Sequence, residues 1–278
     1  MKLGFHVSIA GGFARSVAEA EARHCDTIQI FSRNPRGWKF GPLDDKDIRV
    51  FRSRIREAGI APVYIHMPYL ANLCASDPGL YQRSAQSLLE DLKRAERIGA
   101  DYVIMHIGSA SDPEKGRQSM AKGIRAALKQ AANRSILLLE NTAGAGHALG
   151  YRFEEIREIL DLIDMPSRTG VVLDIAHAFA AGYDFRTRAA VAESIREFDR
   201  GIGIKNLHLV HFNDSRAAFG SRRDRHWHIG KGEIGSGMKH VINHQDLRNI
   251  PFIMETPRTG RKEDLMNLRT AKKFLVHG

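Results

Sequence analysis

SILLLENT, residues 135–142, contains four apolar residues closed by a glutamate, Glu140. A carboxylate at the end of so apolar a run is costly to bury unless it is paired or bound to a cation. The same arrangement recurs on both sides. Upstream, DYVIMHIG (101–108) ends its run at His106 and PVYIHMP (62–68) at His66. Downstream, GVVLDIAH (170–177), NLHLVHFN (206–213) and PFIMETP (251–257) end theirs at Asp174, His211 and Glu255. Subtracting successive positions gives spacings of 40, 34, 34, 37 and 44 residues. One strand plus one helix takes about that length, so the spacing reads as a repeated βα unit.

Working outward, eight strands are predicted near 3–7, 26–31, 62–66, 102–107, 135–140, 170–174, 206–211 and 251–255. Amphipathic helical patterns lie between them, near 11–22, 44–58, 80–98, 115–132, 152–163, 186–199 and 262–275. The clearest is LYQRSAQSLLEDLKRAERI (80–98), where Leu88, Leu89, Leu92, Ala95 and Ile98 recur at three- and four-residue steps. Gly59, Gly99 and Gly201 are expected to close three of these helices. Strands alternating with helices define an α/β chain, and eight such units predict a single (β/α)8 TIM barrel. The alternative, an open doubly wound sheet, lacks support because HVSIAGGF (6–13) supplies two adjacent glycines and no GxGxxG.

The bulk numbers agree with this plan. A barrel of this kind takes about 250 residues, so residues 1–278 are expected to form one domain. Apolar content of 43% is enough for a core. No stretch is long and apolar enough to span a bilayer, and MKLGFHVSIAGG lacks a signal peptide's apolar segment, so a cytoplasmic protein is expected. Cys25 and Cys74 give neither a disulfide framework nor a CxxC pattern, and read as reduced thiols, one near a helix end and one in a loop. The net charge of +10 favours an anionic partner, with nucleic acid the first candidate.

Side chains at the carboxyl ends of barrel strands converge on one mouth. A lone histidine there is more often a hydrogen-bonded structural group than a ligand. Six histidines and carboxylates at six successive strand ends are another matter. Three loop residues add to them. His177 follows Asp174 by three positions, and SRRDRHWH (221–228) sets Asp224 and His226 two apart, facing the same way if extended. Read alone, Asp224 and His226 are a solvated polar loop. Together the nine suit two or three divalent ions, since one zinc takes three or four protein ligands. Nitrogen and oxygen ligands without cysteine fit zinc best, with manganese or iron as alternatives. Clustered ions with open positions point to hydrolysis, because one lowers the pKa of bound water to about 7 and its neighbour stabilises the leaving oxygen.

These residues lie within segments that resemble the endonuclease IV family of apurinic/apyrimidinic (AP) endonucleases over nearly the whole chain. The matching segments are HVSIAGG (6–12), FSRNPRGW (31–38), HMPYLANL (66–73), MHIGS (105–109), LLLENTAGAG (137–146), LDIAHAFAAGYD (173–184), HFNDS (211–215), GSRRDRHWHIGKGEIG (220–235) and METP (254–257). The resemblance implies a barrel with three zinc ions. His66, His106 and Glu140 would hold one ion. Glu140 would bridge to a second held by Asp174, His211 and Glu255, and His177, Asp224 and His226 would hold the third. It also implies hydrolysis of the phosphodiester 5′ to an abasic site, with Glu140 and Glu255 central to the chemistry, and trimming of blocked 3′ ends. One departure is Ala176, where the family often has a cysteine that is not a ligand.

For duplex DNA, the resemblance implies that Arg36, Tyr69 and Leu70 enter at the lesion, an arginine to fill and apolar groups to unstack. Arg222, Arg223 and Arg225 surround Asp224 and are expected to contact phosphates, as a second basic group, Arg258, Arg261 and Lys262, follows Glu255. His6 is expected to support a ligand or touch DNA, and His228 to stand behind His226. His24, His147, His208, His240, His244 and His277 read as structural. Two readings compete. A xylose-isomerase-like sugar isomerase or epimerase would need neither the basic mouth nor the Asp224/His226 pair. A silent binder of damaged DNA would not keep every ligand. A monomer is expected because one mouth holds the whole site.

Overall fold

The computed structural model describes residues 1–275; His277 lies outside them. Eight parallel strands close into a barrel. They are β1 (Leu3–His6), β2 (Thr27–Phe31), β3 (Val63–His66), β4 (Tyr102–His106), β5 (Ile136–Glu140), β6 (Thr169–Asp174), β7 (Leu207–His211) and, after two short strands described below, β10 (Phe252–Met254). They pair in chain order from β1 to β7, then through β10 back to β1. Around them run α1 (Phe13–Glu21), α2 (Asp45–Glu57), α3 (Pro78–Ile98), α4 (Pro113–Ala131), α5 (Phe153–Ile163), α7 (Arg188–Gly201) and α9 (Arg261–Phe274). The expected eight-unit barrel is the observed one, and none of the described helices is long and apolar enough to cross a membrane.

Side chains of a strand alternate between faces, and this builds two cores. One face of each strand packs against the helices. The other fills the barrel with a fully buried layer: Tyr64, Ile104, Leu138, Val172, Leu209 and Ile253. Each of these six lies two residues before His66, His106, Glu140, Asp174, His211 or Glu255. The same alternation therefore stacks all six metal-type side chains on the packed layer, on the mouth side. In β7 the register against β6 shifts at Val171/Val172 and adds His208 to the strand. Its ring lies where a side chain at position 170 would begin: a Cβ on Gly170 would fall 2.3 Å from it.

Four elements do not appear in the sequence reading. Helix α6 (Ile175–Ala181) starts directly on β6, with Asp174 as its N-cap. Strands β8 (Asp214–Ser215) and β9 (His226–Trp227) form an antiparallel ribbon at the mouth. Helix α8 (Met238–Ile242) is a short turn of chain before β10. One expectation is corrected. Gly201 does not close its helix but is its last helical residue, and Gly203 (φ 92°) takes the left-handed turn. Gly201 is instead a contact glycine, since a Cβ there would lie 2.8 Å from that of Phe153. Gly99 (φ 83°) caps α3 as expected, and Gly59 (φ 66°) follows the cap of α2.

Candidate metal centre

Glu140 is the hub of the mouth. Its Oε2 lies 3.0 Å from His66 Nε2 and 3.7 Å from His106 Nε2. Its Oε1 lies 2.9 Å from His211 Nδ1. The two oxygens of one carboxylate therefore serve two different groups. His66, His106 and Glu140 make the first; Glu140, Asp174, His211 and Glu255 make the second. Within the second, His211 Nδ1 is 3.3 Å from Glu255 Oε2 and 3.8 Å from Asp174 Oδ2.

A third group stands at the rim. His177 Nε2 is 3.2 Å from Asp224 Oδ2, His226 Nε2 is 3.5 Å from Asp224 Oδ1, and the two imidazole nitrogens are 3.3 Å apart. Helix α6 carries His177 here, held because Asp174 Oδ1 accepts from the His177 backbone N–H at 2.7 Å. The ribbon carries His226. Asp174 Oδ2 also reaches His226 Nε2 at 3.4 Å, so Asp174, His177 and His226 form an overlapping set. The structure thus brings all nine expected ligand residues into one mouth.

Four of the five histidines are oriented in one way. Each turns one ring nitrogen to the carboxylates and the other to an uncharged oxygen, which can only accept. His66 Nδ1–H donates to the Met67 carbonyl at 2.6 Å, and His177 Nδ1–H to the Asn141 carbonyl at 2.9 Å. His226 Nδ1 faces the Glu255 carbonyl at 3.4 Å, and His211 Nε2–H donates to the Gln29 side-chain oxygen at 2.7 Å. The carboxylates are held too. Asn141 Oδ1 accepts from Asp174 N, Asn213 Nδ2 donates to Asp174 Oδ2, and Asn213 Oδ1 accepts from Glu255 N. Gln29, Asn141 and Asn213 were not singled out by the sequence reading. Gln29 had a signal: in TIQIF (27–31) the apolar Ile28 and Ile30 face the helices, which turns a polar amide into the barrel.

This donor set fits divalent cations. Glu140, Asp174 and His211 are fully buried, and among the described residues no lysine or arginine pairs with Glu140, Asp174 or Glu255. Burial opposes ionisation of Glu140, but the charges of His106 and His211 hold it well below the usual carboxylate range. Glu255 is held down likewise against its burial, by His211 and the His6 contact. Burial opposes a charged His211, yet Glu255 and Glu140 outweigh it and raise its pKa to about 9. The carboxylates thus stay ionised and draw positive charge to themselves. With no thiolate present, nitrogen and oxygen donors suit zinc, manganese or iron.

A cavity of about 150 Å³ lies over the ligands, lined in part by His66, His106, His226, Glu255 and the ring of Tyr69. Larger hollows on the flanks, such as one of about 630 Å³ beside Arg188 and Arg248, hold none of the nine. Tyr69 is 64% exposed rather than packed back on the barrel, and Leu70 beside it is half-buried. Arg36 is exposed on a loop that Arg33 anchors from beneath, through Asp91 at 3.4 Å and the Gly37 carbonyl at 3.0 Å. Arg222, Arg223 and Arg225 are exposed. Arg222 stacks over Tyr151, and Arg225 donates to the Asp224 carbonyl at 2.6 Å. Arg258 and Arg261 are engaged instead by Asp264 and Glu19. His6 Nδ1 lies 3.2 Å from Glu255 Oε1, so His6 stands behind a ligand. His228 packs on Asn267. Cys25 follows α1 and Cys74 lies in a loop; both are free and buried.

Residues 17–275 match the family described as the xylose isomerase-like TIM barrel. The chain is 42% identical over 284 residues to the probable endonuclease 4 of Methanosphaerula palustris, covering 99% of each. It is 40% identical over 280 residues to endonuclease 4 of Thermus thermophilus, covering 99% of this chain and 98% of that one. A crystal structure of endonuclease IV from Thermus thermophilus superposes with a TM-score of 0.89 at 38% identity, over 99% of this chain and 98% of that one. A D-tagatose 3-epimerase-like protein, 18% identical, shares the fold at a TM-score of 0.75, over 99% of this chain and 97% of that one.

Proposed function

This chain belongs to the endonuclease IV family within the xylose isomerase-like TIM barrels, and from that premise we propose how its mouth works. It is a metal-dependent AP endonuclease that hydrolyses the phosphodiester 5′ to an abasic site in duplex DNA. The products are a 3′-hydroxyl and a 5′-deoxyribose phosphate, and blocked 3′ ends are trimmed at the same site. The observation that carries this reading is Glu140, whose two oxygens face separate groups of side chains.

Three zinc ions fit the nine donors. His66, His106 and Glu140 would hold one, Glu140, Asp174, His211 and Glu255 the second, and His177, Asp224 and His226 the third. Bound divalent ions acidify water and neutralise charge on the attacking and leaving oxygens of an in-line displacement. The chain's own groups do the rest. The main-chain carbonyls of Met67 and Asn141 fix His66 and His177 with one nitrogen turned inward. Glu255, at the wall of the cavity, is placed to orient the attacking water and take its proton. Tyr69 and Leu70 act as the wedge at the lesion and Arg36 fills the gap, because a deoxyribose without a base must leave the stack to reach the cavity. Arg222, Arg223 and Arg225 contact phosphates beside the third group.

The whole chain acts as one domain, as a cytoplasmic monomer, since one mouth holds every ligand. The sugar-isomerase reading gains nothing from the fold, which the epimerase-like protein shares at only 18% identity. The test is incision of a duplex oligonucleotide carrying one tetrahydrofuran abasic analogue, with metal content measured on the same preparation. The analogue cannot undergo β-elimination, so a 3′-hydroxyl product means hydrolysis. About three ions per chain are expected. A fully metallated protein that leaves the analogue intact would refute the assignment.

A further inference from the structure

We infer that Gln29 is a positioning residue for the bridged group, fixing both His211 and Glu255 through one amide; this rests on the metal-centre reading above. Gln29 is fully buried inside the barrel. Its Oε1 accepts from His211 Nε2 at 2.7 Å. Its Nε2 donates to Glu255 Oε1 at 2.6 Å and lies 2.8 Å from His6 Nδ1.

The direction of this amide is forced. An ionised carboxylate has no proton to give, so the amide nitrogen must face Glu255. The amide oxygen then faces His211, and His211 must carry its proton on Nε2. Its Nδ1 is the nitrogen turned to Glu140, Asp174 and Glu255, the one that would give up its proton to an ion and become the ligand. His6 Nδ1 lies 2.8 Å from the same amide nitrogen and 3.2 Å from Glu255 Oε1, so amide, carboxylate and imidazole meet at one corner of the site. His66, His177 and His226 are oriented by main-chain carbonyls, which no substitution of the carbonyl-bearing side chain deletes. His211 alone among these four depends on a side chain.

Two variants test this in the full chain, Gln29→Met and Gln29→Glu. Methionine fills a similar volume with neither hydrogen bond. Glutamate keeps the acceptor for His211 but cannot donate to Glu255. Zinc per chain is followed against rising chelator, with incision kinetics and melting of the zinc-loaded and chelated forms. Disturbing groups that orient metal ligands typically weakens binding by about 10- to 100-fold. One ion of the three should therefore leave at about 10- to 100-fold lower chelator strength in Gln29→Met, with kcat reduced and KM for the abasic duplex nearly unchanged. A purely packing role would lower the melting temperature of both forms equally and leave the chelator curve in place, which would overturn the inference. Gln29→Glu answers for a methionine variant that does not fold, and a wild-type chelator curve there is equally fatal. Wild-type protein that binds no ions would sink both this role and the function. Wild-type protein that binds and cuts beside an unaltered Gln29→Met would sink only this role.

Discussion

Replacing Glu140 by glutamine should damage two ion sites unequally and leave a third intact. The carboxylate offers Oε2 to His66 and His106, and Oε1 to His211. A carboxamide keeps one ligating oxygen and turns the other position into an N–H donor. If the oxygen stays with His211, the first group falls from three ligands to two, below the three that a zinc site needs. If it stays with His66, the second falls from four to three and both groups lose a negative charge. The first ion should therefore be lost or held very weakly, the second loosened, and the third kept, because Glu140 Oε1 approaches only His177 Nδ1, at 3.5 Å, and not the Nε2 that faces Asp224. The protein fold should barely notice. Glu140 loses two charge-assisted hydrogen bonds, about 1.5–3 kcal/mol each. Against this, relieving the burial of a carboxylate returns several kcal/mol. These nearly cancel, so the chelated variant should melt within a few degrees of the chelated wild type. Metal analysis after mild chelation should give about one ion per chain against three. Incision should fall by at least about 10²-fold, the typical effect of deleting one group that stabilises developing charge. Asp224→Ala, which touches only the third group, should retain two ions. A Glu140→Gln protein that holds three ions as tightly as wild type would refute the bridging geometry.

Glu255→Gln should lower incision by about 10²–10⁴-fold, the usual contribution of a general base, with duplex affinity kept in a gel-shift assay; wild-type rates would dismiss that role. Tyr69→Ala removes an exposed ring, so thermal stability should move by no more than about 0.5 kcal/mol. Affinity for the abasic duplex should still fall by about 1–3 kcal/mol, the worth of one stacking contact; unchanged affinity would return Tyr69 to an ordinary surface role. Asp91, buried beneath the loop of Arg36, gives a pH signature. Burial pushes its carboxyl up to about 6, against the pull of Arg33. The folded state therefore holds this proton more tightly than the unfolded chain does. The stability it contributes is complete below about pH 4 and is lost as pH rises through about 6, on the order of 3 kcal/mol by linkage. In urea unfolding, Asp91→Asn should flatten that part of the pH profile, and an unchanged slope between pH 4 and 6 would reject the assignment.

All eight barrel strands were legible to within one or two residues because each is a short, mostly apolar run with a polar side chain at its end or just past it. The inner core was implicit in the same runs, two positions before each ligand. What stayed hidden has physical causes. Apart from His177, helix α6 is apolar on every side, with residues 175–180 all buried, so it has no polar face to give a period. The β8–β9 ribbon is two residues on each side, too short for any alternation to register. Gln29, Asn141 and Asn213 are neutral amides, and an amide raises no alarm in an apolar strand as a carboxylate does. Gly201 misled because a helix-end glycine was read as a turn when Phe153 needed the space.

A D-tagatose 3-epimerase-like protein shares the fold, so the barrel cannot by itself make a nuclease. The loops add the rest of the site. His177 comes from α6, Asp224 from the connection between β8 and β9, and His226 from β9 itself. That connection is braced. The buried Asp214 carboxylate accepts four backbone N–H groups, from Ser215, Gly232, Ile234 and Gly235. The Arg222 backbone N–H donates to the Ala180 carbonyl on α6, and the Arg216 side chain lies over Trp227. A rim fixed in this way does not close over a small substrate as a lid. It sets the third group at the rim beside the exposed arginines, with Tyr69 exposed at the edge of the same cavity. A long, charged, rigid substrate whose one missing base lets a phosphate descend to that floor is what such a mouth can take.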